Sequence, residues 1–254
     1  AAMDGRTGGD RQLSIGETLS ILLQVLAALN KSAASGIVHR DIKPSNVLVS
    51  HQDGAPVVKI IDFGIARAVG DAGLDTLSTS FGSFVGTIAY MSPEQTGQDT
   101  SELDTRSDVY SLGVLAYELL TGSTPLRDTS IHNGFANLPV LLERIREEVP
   151  EPLSRRAPAL GRELERELDW VVLKALEKDP ARRYASAHAL AEDLRRYLQG
   201  EPVEAAPPST TYRLKKLAAR HRAWLVTAAA FVAVLVLATG LSLWLALRAS
   251  TAER

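Results

Sequence analysis

The 254-residue sequence contains no cysteine. Disulfides and thiol-ligated zinc are therefore excluded, and nothing argues for an oxidising compartment. The first 20 residues hold no apolar run, so no secretory leader is read there. No internal repeat is visible. The chain also lacks a net excess of either charge, with 28 Lys+Arg against 30 Asp+Glu and a formal net charge of −2. That balance hides an asymmetry. Residues 1–212 hold 21 basic and 29 acidic residues, net −8, whereas residues 213–254 hold seven basic residues and only Glu253, net +6. A nucleic-acid binder would spread its positive charge across the folded face, so no nucleic-acid partner is expected. An acidic body with a basic tail fits a soluble domain tethered to an anionic membrane surface. Hydrophobic residues make up 45% and charged residues 23%, enough apolar matter for a sizeable core in one or two domains.

Residues 1–13 are rich in Gly and Asp and read as loop. Ser14 and Glu17 have the spacing of a capping box, and Leu19, Leu22, Leu23, Leu26 and Leu29 recur at helical intervals. A helix over roughly 15–35 is expected, with Gly36 as its stop. Pro44 forbids helix through the following segment. Two short apolar runs, Val47–Val49 and Val57–Ile61, flank Asp53-Gly54, a hairpin signal. Residues 64–92 are rich in Gly, Ser and Thr, without helical periodicity, and a loop of that length is usually functional or disordered. Helices are expected again at 107–121, ended by Gly122, and near 138–148, 163–177 and 186–199, with Gly200 closing the last. The charge-rich segment at 163–168 reads as a solvated helix face, and Trp170 and Tyr184 as packing residues. EPVEAAPPST reads as a Pro-rich linker.

Two short motifs carry the chemistry. The first is His39-Arg40-Asp41-Ile42-Lys43-Pro44-Ser45-Asn46; the second, Asp62-Phe63-Gly64, follows the second short strand. Ser92-Pro93-Glu94, then Asp108-Val109-Tyr110-Ser111-Leu112-Gly113, then Asp179-Pro180-Ala181-Arg182-Arg183 follow in order. In these motifs and their order the sequence resembles the eukaryotic-type serine/threonine protein kinases over roughly residues 14–200. One such tripeptide is weak evidence; five in order with kinase-like spacing are strong. The resemblance implies an α+β fold, the mainly helical large lobe of a kinase with a short β-hairpin. It also implies transfer of the ATP γ-phosphate to Ser or Thr hydroxyls of protein substrates, with ATP and Mg2+ as cofactors.

Phosphoryl transfer depends mainly on positioning and charge stabilisation. By the resemblance, Asp41 accepts or orients the substrate hydroxyl proton and Lys43 neutralises the transferred group. Asn46 and Asp62 hold magnesium, a cation that takes hard oxygen ligands and shares the phosphates. Leu48 lies beneath adenine. Thr87 contacts the catalytic Asp and helps select Ser/Thr substrates. Asp108 anchors the catalytic loop's backbone, Glu94 pairs with Arg183, and Arg40 receives an activation-loop phosphate. The cluster Thr76, Ser78, Thr79 and Ser80 is expected to carry that phosphate. His39 reads as a packed structural histidine, and an Asp such as Asp62, taken alone, as a turn residue; the offsets to Asp41, Lys43 and Asn46 favour the metal reading.

The sequence departs from the family in one respect. Gly5, Gly8 and Gly9 do not match G-x-G-x-x-G, and the 13 residues before the first helix cannot build a kinase small lobe with its strand Lys and helix Glu. A truncated chain, inactive alone, is the expectation. The alternatives are a non-catalytic pseudokinase that binds partners through its lobe, disfavoured by the retained Asp41, Lys43, Asn46 and Asp62, and a kinase-like small-molecule phosphotransferase, disfavoured by Lys43 and Ser92-Pro93-Glu94.

Residues 201–223 read as a Pro-rich linker and basic juxtamembrane segment. Trp224–Leu247 is free of charged residues and, at about 1.5 Å per residue, long enough to cross a hydrocarbon core of about 30 Å. A transmembrane helix over 224–247 is expected, with an extracytoplasmic stub over 248–254. Trp224 and Trp244 stand near its ends, and the excess of Arg and Lys before it places the kinase lobe in the cytoplasm. The membrane lipid bilayer is thus an expected partner. Ala229 and Ala233 form a small-xxx-small pair, a weak pointer to a homodimer; alanine is common in such helices, so plain composition is the preferred account. The layout resembles bacterial membrane-anchored Ser/Thr kinases.

Overall fold

The computed structural model describes residues 13–53, 55–62, 88–97, 104–126, 138–158, 166–220 and 222–252. Of the loop expected at 64–92, residues 64–87, with the phosphate-acceptor cluster, lie outside them. The described residues up to Leu198, together with Val203–Ala206, form one unit; Gln199–Pro202 and Pro207 onward form a second.

The first unit opens with helix α1, Ile15–Ala34. Its start is dictated locally. The Ser14 hydroxyl accepts the Glu17 N–H at 3.2 Å, and the Glu17 carboxylate accepts the Ser14 N–H at 3.0 Å, completing the expected capping box. Gly36, at φ +75°, takes the left-handed conformation that ends the helix. Leu19, Leu22, Val25, Leu26 and Leu29 are buried along one face. Each contributes roughly 1.5–3 kcal/mol of burial.

Strands β1 (Val47–Gln52) and β2 (Ala55–Ile60) pair antiparallel, in register from Val47↔Ile60 to Gln52↔Ala55. Both run further than their apolar stretches because cross-strand hydrogen bonds carry the ladder past the buried end. Asp53, at φ +52°, supplies the left-handed turn residue that a two-residue hairpin demands. Gln24 of α1 docks this hairpin: its amide donates to the Pro56 carbonyl at 2.8 Å and accepts the Val58 N–H at 3.1 Å.

Helix α2, Thr105–Thr121, begins two residues earlier than its apolar run, because the Asp104 side chain caps it by accepting the Arg106 N–H. Gly122 ends it at φ +77°. Every residue from Ser107 to Tyr117 is buried, so this helix is the central post of the unit. Around it stand α3 (Leu138–Glu147), the single turn α4 (Leu153–Arg156), α5 (Arg166–Ala175) and α6 (Ala187–Leu198). Gly113 permits the close approach of α2 and α5: a Cβ there would lie 3.0 Å from the Ala175 Cβ.

Three expectations need correcting. The 163–168 segment is not wholly a solvated face, since Glu167 and Leu168 are buried. Val203, assigned to a linker, is buried in the main core. The buried carboxylate of Asp193 accepts from the N–H groups of Glu204 and Ala205 and from the Tyr184 hydroxyl, pinning Val203–Ala206 to the lobe. The basic juxtamembrane segment, for which the sequence reading gives no helix, forms helix α7, Thr210–Arg220.

The second unit consists mainly of α7 and α8, Arg222–Ala252. Described side chains of α8 run uninterrupted only over 227–242, and all are exposed. Among the described residues no helix is long and apolar enough to cross a membrane. The expected transmembrane helix at 224–247 is therefore not supported among the described residues; what stands there is part of one continuous helix.

Candidate active site

The segment 39–46 crosses from α1 to β1, and its shape is imposed by α2. Asp108 is buried in that helix, and its two carboxylate oxygens accept the His39 N–H at 2.8 Å and the Arg40 N–H at 2.7 Å. Burial pushes the Asp108 carboxyl above its ordinary pKa, against the pull of those two N–H groups. His39 is fully buried, and its Nδ1 accepts the Asp41 N–H at 3.3 Å. Burial also lowers the His39 pKa, opposed by nearby Asp108, so the ring is held towards its neutral form. The packed structural role expected of His39 agrees with this placement.

Arg40 adopts φ +64°, a left-handed conformation disfavoured for a residue with a side chain. Such strain persists only where surroundings over-determine it. Here the Arg40 N–H is held by Asp108, and its carbonyl accepts from the Gln95 amide at 2.8 Å. Gln95 was not singled out from sequence. Its amide oxygen also accepts the Ser92 N–H and hydroxyl, at 2.9 and 3.0 Å, so one side chain ties the Ser92-Pro93-Glu94 segment to the residue preceding Asp41.

Pro44–Asn46 forms one 3-10 turn, which carries Asn46 back toward Asp41. The Asn46 amide donates to the Asp41 carbonyl at 2.8 Å and to its Oδ2 at 3.0 Å. Lys43 Nζ stands 2.9 Å from the same Oδ2. Three of the four residues expected to carry the chemistry are therefore in direct contact. The fourth, Asp62, follows β2 with φ +53° and an exposed side chain. The backbone brings the two loops together where the Ile61 N–H donates to the Asn46 carbonyl at 3.0 Å. Leu48 is half-buried on β1.

The donor set suits magnesium. With its nitrogen donating to Asp41, Asn46 has a carbonyl oxygen to offer, and Asp62 a carboxylate; both are hard oxygens. Among the described residues no group of three or more His, Cys, Asp or Glu could form an all-protein metal cage. Magnesium held by Asn46 and Asp62 would share its remaining positions with substrate phosphates and water.

Glu94 and Arg183 meet as expected. The guanidinium donates to both carboxylate oxygens, at 2.7 and 2.8 Å, and its other N–H groups reach the carbonyls of Glu177, Lys178 and Arg106. Ser107 adds a hydroxyl donor to Glu94 at 2.7 Å. Burial pushes the Glu94 carboxyl up, but the Arg183 fork outweighs it and holds the pKa below the ordinary value. Beside this pair sits a residue the sequence reading missed. Lys178 donates to the Ile145 carbonyl at 2.7 Å and the Tyr110 hydroxyl at 3.1 Å. Burial, aided by Arg183, brings its pKa down to about 8. Thr76, Ser78, Thr79, Ser80 and Thr87 lie outside the described residues.

Comparison with known proteins gives one coherent result. The family described as "Protein kinase domain" matches residues 7–194. Serine/threonine-protein kinase PknB of Mycobacterium tuberculosis is 42% identical over 187 residues, 74% of this chain and 27% of the relative. A probable serine/threonine-protein kinase of Streptomyces coelicolor is 41% identical over 195 residues, 77% of this chain and 26% of the relative. The chain thus spans about a quarter of the length of these relatives. Among solved structures, a point variant of the Mycobacterium tuberculosis PknI kinase domain superposes with a TM-score of 0.51 at 26% identity, covering 77% of this chain and 59% of that one.

Proposed function

The chain belongs to the protein kinase domain family, with serine/threonine kinases as its relatives, and we propose that it carries the catalytic large lobe of an enzyme that phosphorylates Ser or Thr hydroxyls of proteins. The observation that carries this reading is the convergence of Asn46 and Lys43 on the Asp41 carboxylate, on a loop whose backbone is fixed by buried Asp108. In the reaction Asp41 orients the acceptor hydroxyl and takes its proton. Asn46 holds Asp41 in one rotamer. Lys43 places a positive charge beside it, where the negative charge of a transferring phosphoryl group is neutralised. Asn46 and Asp62 would hold magnesium, which supplies charge neutralisation on the ATP phosphates. Leu48, half-buried on β1, would offer an apolar side chain to the adenine. The 254 residues contain no Gly-rich phosphate loop, so by themselves they are expected to bind ATP weakly and transfer little phosphate. Misplacing reacting groups by about 1 Å costs on the order of 100-fold in rate.

The switch in this reading is phosphorylation within Thr76–Ser80, with Arg40 as the docking cation. The anchor is the uncharged run Trp224–Leu247, supported by the exposure of Phe231, Val234, Leu237 and Leu241 on α8 and by the basic flank before it. It places the lobe in the cytoplasm. Deleting 224–247 should release the protein from the membrane fraction.

The test of catalysis uses the full-length protein with radiolabelled ATP, magnesium and a generic basic protein, followed by phosphoamino-acid analysis. Label on Ser or Thr is expected. Asp41→Asn should abolish transfer while leaving nucleotide binding largely intact, and Asp62→Asn should weaken magnesium-nucleotide binding as well. No transfer by the intact enzyme under any metal or substrate condition would give the assignment to a pseudokinase.

A further inference from the structure

Helix α7 has a composition unlike the rest of the molecule. Its 11 residues, TTYRLKKLAAR, include four basic residues and no acidic one. Leu214 and Leu217, three residues apart and hence on one face, are 67% and 55% exposed, and Ala218 beside them is exposed too. Arg213, Lys216 and Arg220 recur at i, i+3 and i+7, next to that apolar strip. The helix is a defined element. Ser209 precedes it, its hydroxyl accepting the Tyr212 N–H at 3.3 Å and its carbonyl the Arg213 N–H. It ends at Arg220, and α8 starts afresh at Arg222.

Nothing in a solvated linker requires exposed leucines, and nothing in a buried helix requires a run of arginines and lysines. The two together, on one short helix, match a surface that is apolar below and negative above. We propose that α7 is an interfacial helix that seats Leu214 and Leu217 at the acyl boundary of an anionic phospholipid bilayer, with Arg213, Lys215, Lys216 and Arg220 against its headgroups. Charge complementarity selects this occupant: a second copy of the chain would bring a second basic helix, and an apolar protein groove would meet the leucines without matching the positive net charge of the helix. The chain's own geometry adds a reason, since α7 directly precedes the helix read as the membrane anchor. The inference rests on that reading and deepens it, giving the anchor a lipid preference and the lobe's tether a fixed entry to the bilayer.

The absence of cysteine makes the test direct. Leu217→Cys in the full chain creates a single thiol for an environment-sensitive fluorophore. The labelled chain is reconstituted into vesicles of phosphatidylcholine alone and of phosphatidylcholine with phosphatidylglycerol, each also with lipids brominated near the headgroup. Quenching and a blue shift are expected only with phosphatidylglycerol, weakening as salt is raised. Exchanging Arg213, Lys215, Lys216 and Arg220 singly and together for Gln should lower the docked-to-undocked ratio about fivefold for each basic residue removed. If the chain fails to float with any vesicle, the membrane-anchor reading fails. If it floats but the label stays unquenched, or is quenched equally in both lipids, the anchor stands and the interfacial helix is overturned. A label already blue-shifted without lipid would mean that the leucine face packs on protein, which also overturns it.

Discussion

Two carboxylates, buried Asp108 and half-buried Glu94, organise the lobe, and the fold treats them in opposite ways. Asp108 accepts from two neutral donors, the N–H groups of His39 and Arg40, and burial outweighs them: its pKa is raised. Glu94 faces a guanidinium whose two nitrogens meet its two oxygens, and the pairing wins: its pKa is lowered. The difference matches the two tasks. Asp108 sets a backbone conformation, so it needs acceptors aimed at peptide groups. Glu94 and Arg183 join segments 89 residues apart, so they need attraction strong enough to close a large loop.

The contrast can be broken most severely at Arg183. Arg183→Ala leaves Glu94 half-buried and strips the carbonyls of Glu177, Lys178 and Arg106 of their donor. Urea denaturation should show a loss of about 3–5 kcal/mol; a loss below about 1 kcal/mol would mean that the pair is incidental. Asp108→Asn is next. It keeps one acceptor but turns an amide nitrogen toward a backbone N–H, and should cost about 2 kcal/mol. In phosphotransfer assays it should also depress kcat more than KM, because Arg40 loses the bond that holds its strained φ. Gln95→Met removes the other hold on Arg40. A loss of about 1 kcal/mol is expected, with kcat again falling and KM little changed; unchanged kcat would make Gln95 a cap for the Ser92 turn and no more.

The smallest effect is a pair of slopes of opposite sign. Glu94 titrates below its ordinary 4.5 in the folded protein. Its contribution is therefore present above that value and is lost as pH falls through the folded pKa. Asp108 titrates above its ordinary 3.8, so its contribution is greatest below that value and is lost as pH rises through the folded pKa. In melting curves across the acid range, Glu94→Gln should gain on the parent protein as acid is added, and Asp108→Asn should fall behind it. Slopes of the same sign would dissolve the comparison.

Much of the fold could be read along the chain wherever the signal is local. The capping box at Ser14, the stops at Gly36 and Gly122 and the hairpin at Asp53 each depend on a few neighbouring residues, and each stands where it was expected. The misses have a common cause. Glu167 is charged and was placed in solvent, and Val203 sits among prolines and was placed in a linker. Both are decided by what packs over them from elsewhere in the chain. Helix α7 was missed because its basic run was read as charge and not as one side of an amphipathic element.

For the site, the order of the motifs in the sequence determined which chemistry is available: an aspartate, a lysine and an asparagine at fixed offsets, and a second aspartate after a strand. Residue types and spacings of that kind are written in the chain. The tertiary structure alone decided how those groups are held. Gln95 reaching Arg40, Lys178 lodged between Tyr110 and Ile145, and Asp193 pinning Glu204 and Ala205 are contacts between segments distant in sequence or in different elements. A buried polar group must find its partner wherever the packed chain brings one, and no local pattern records which residue that will be.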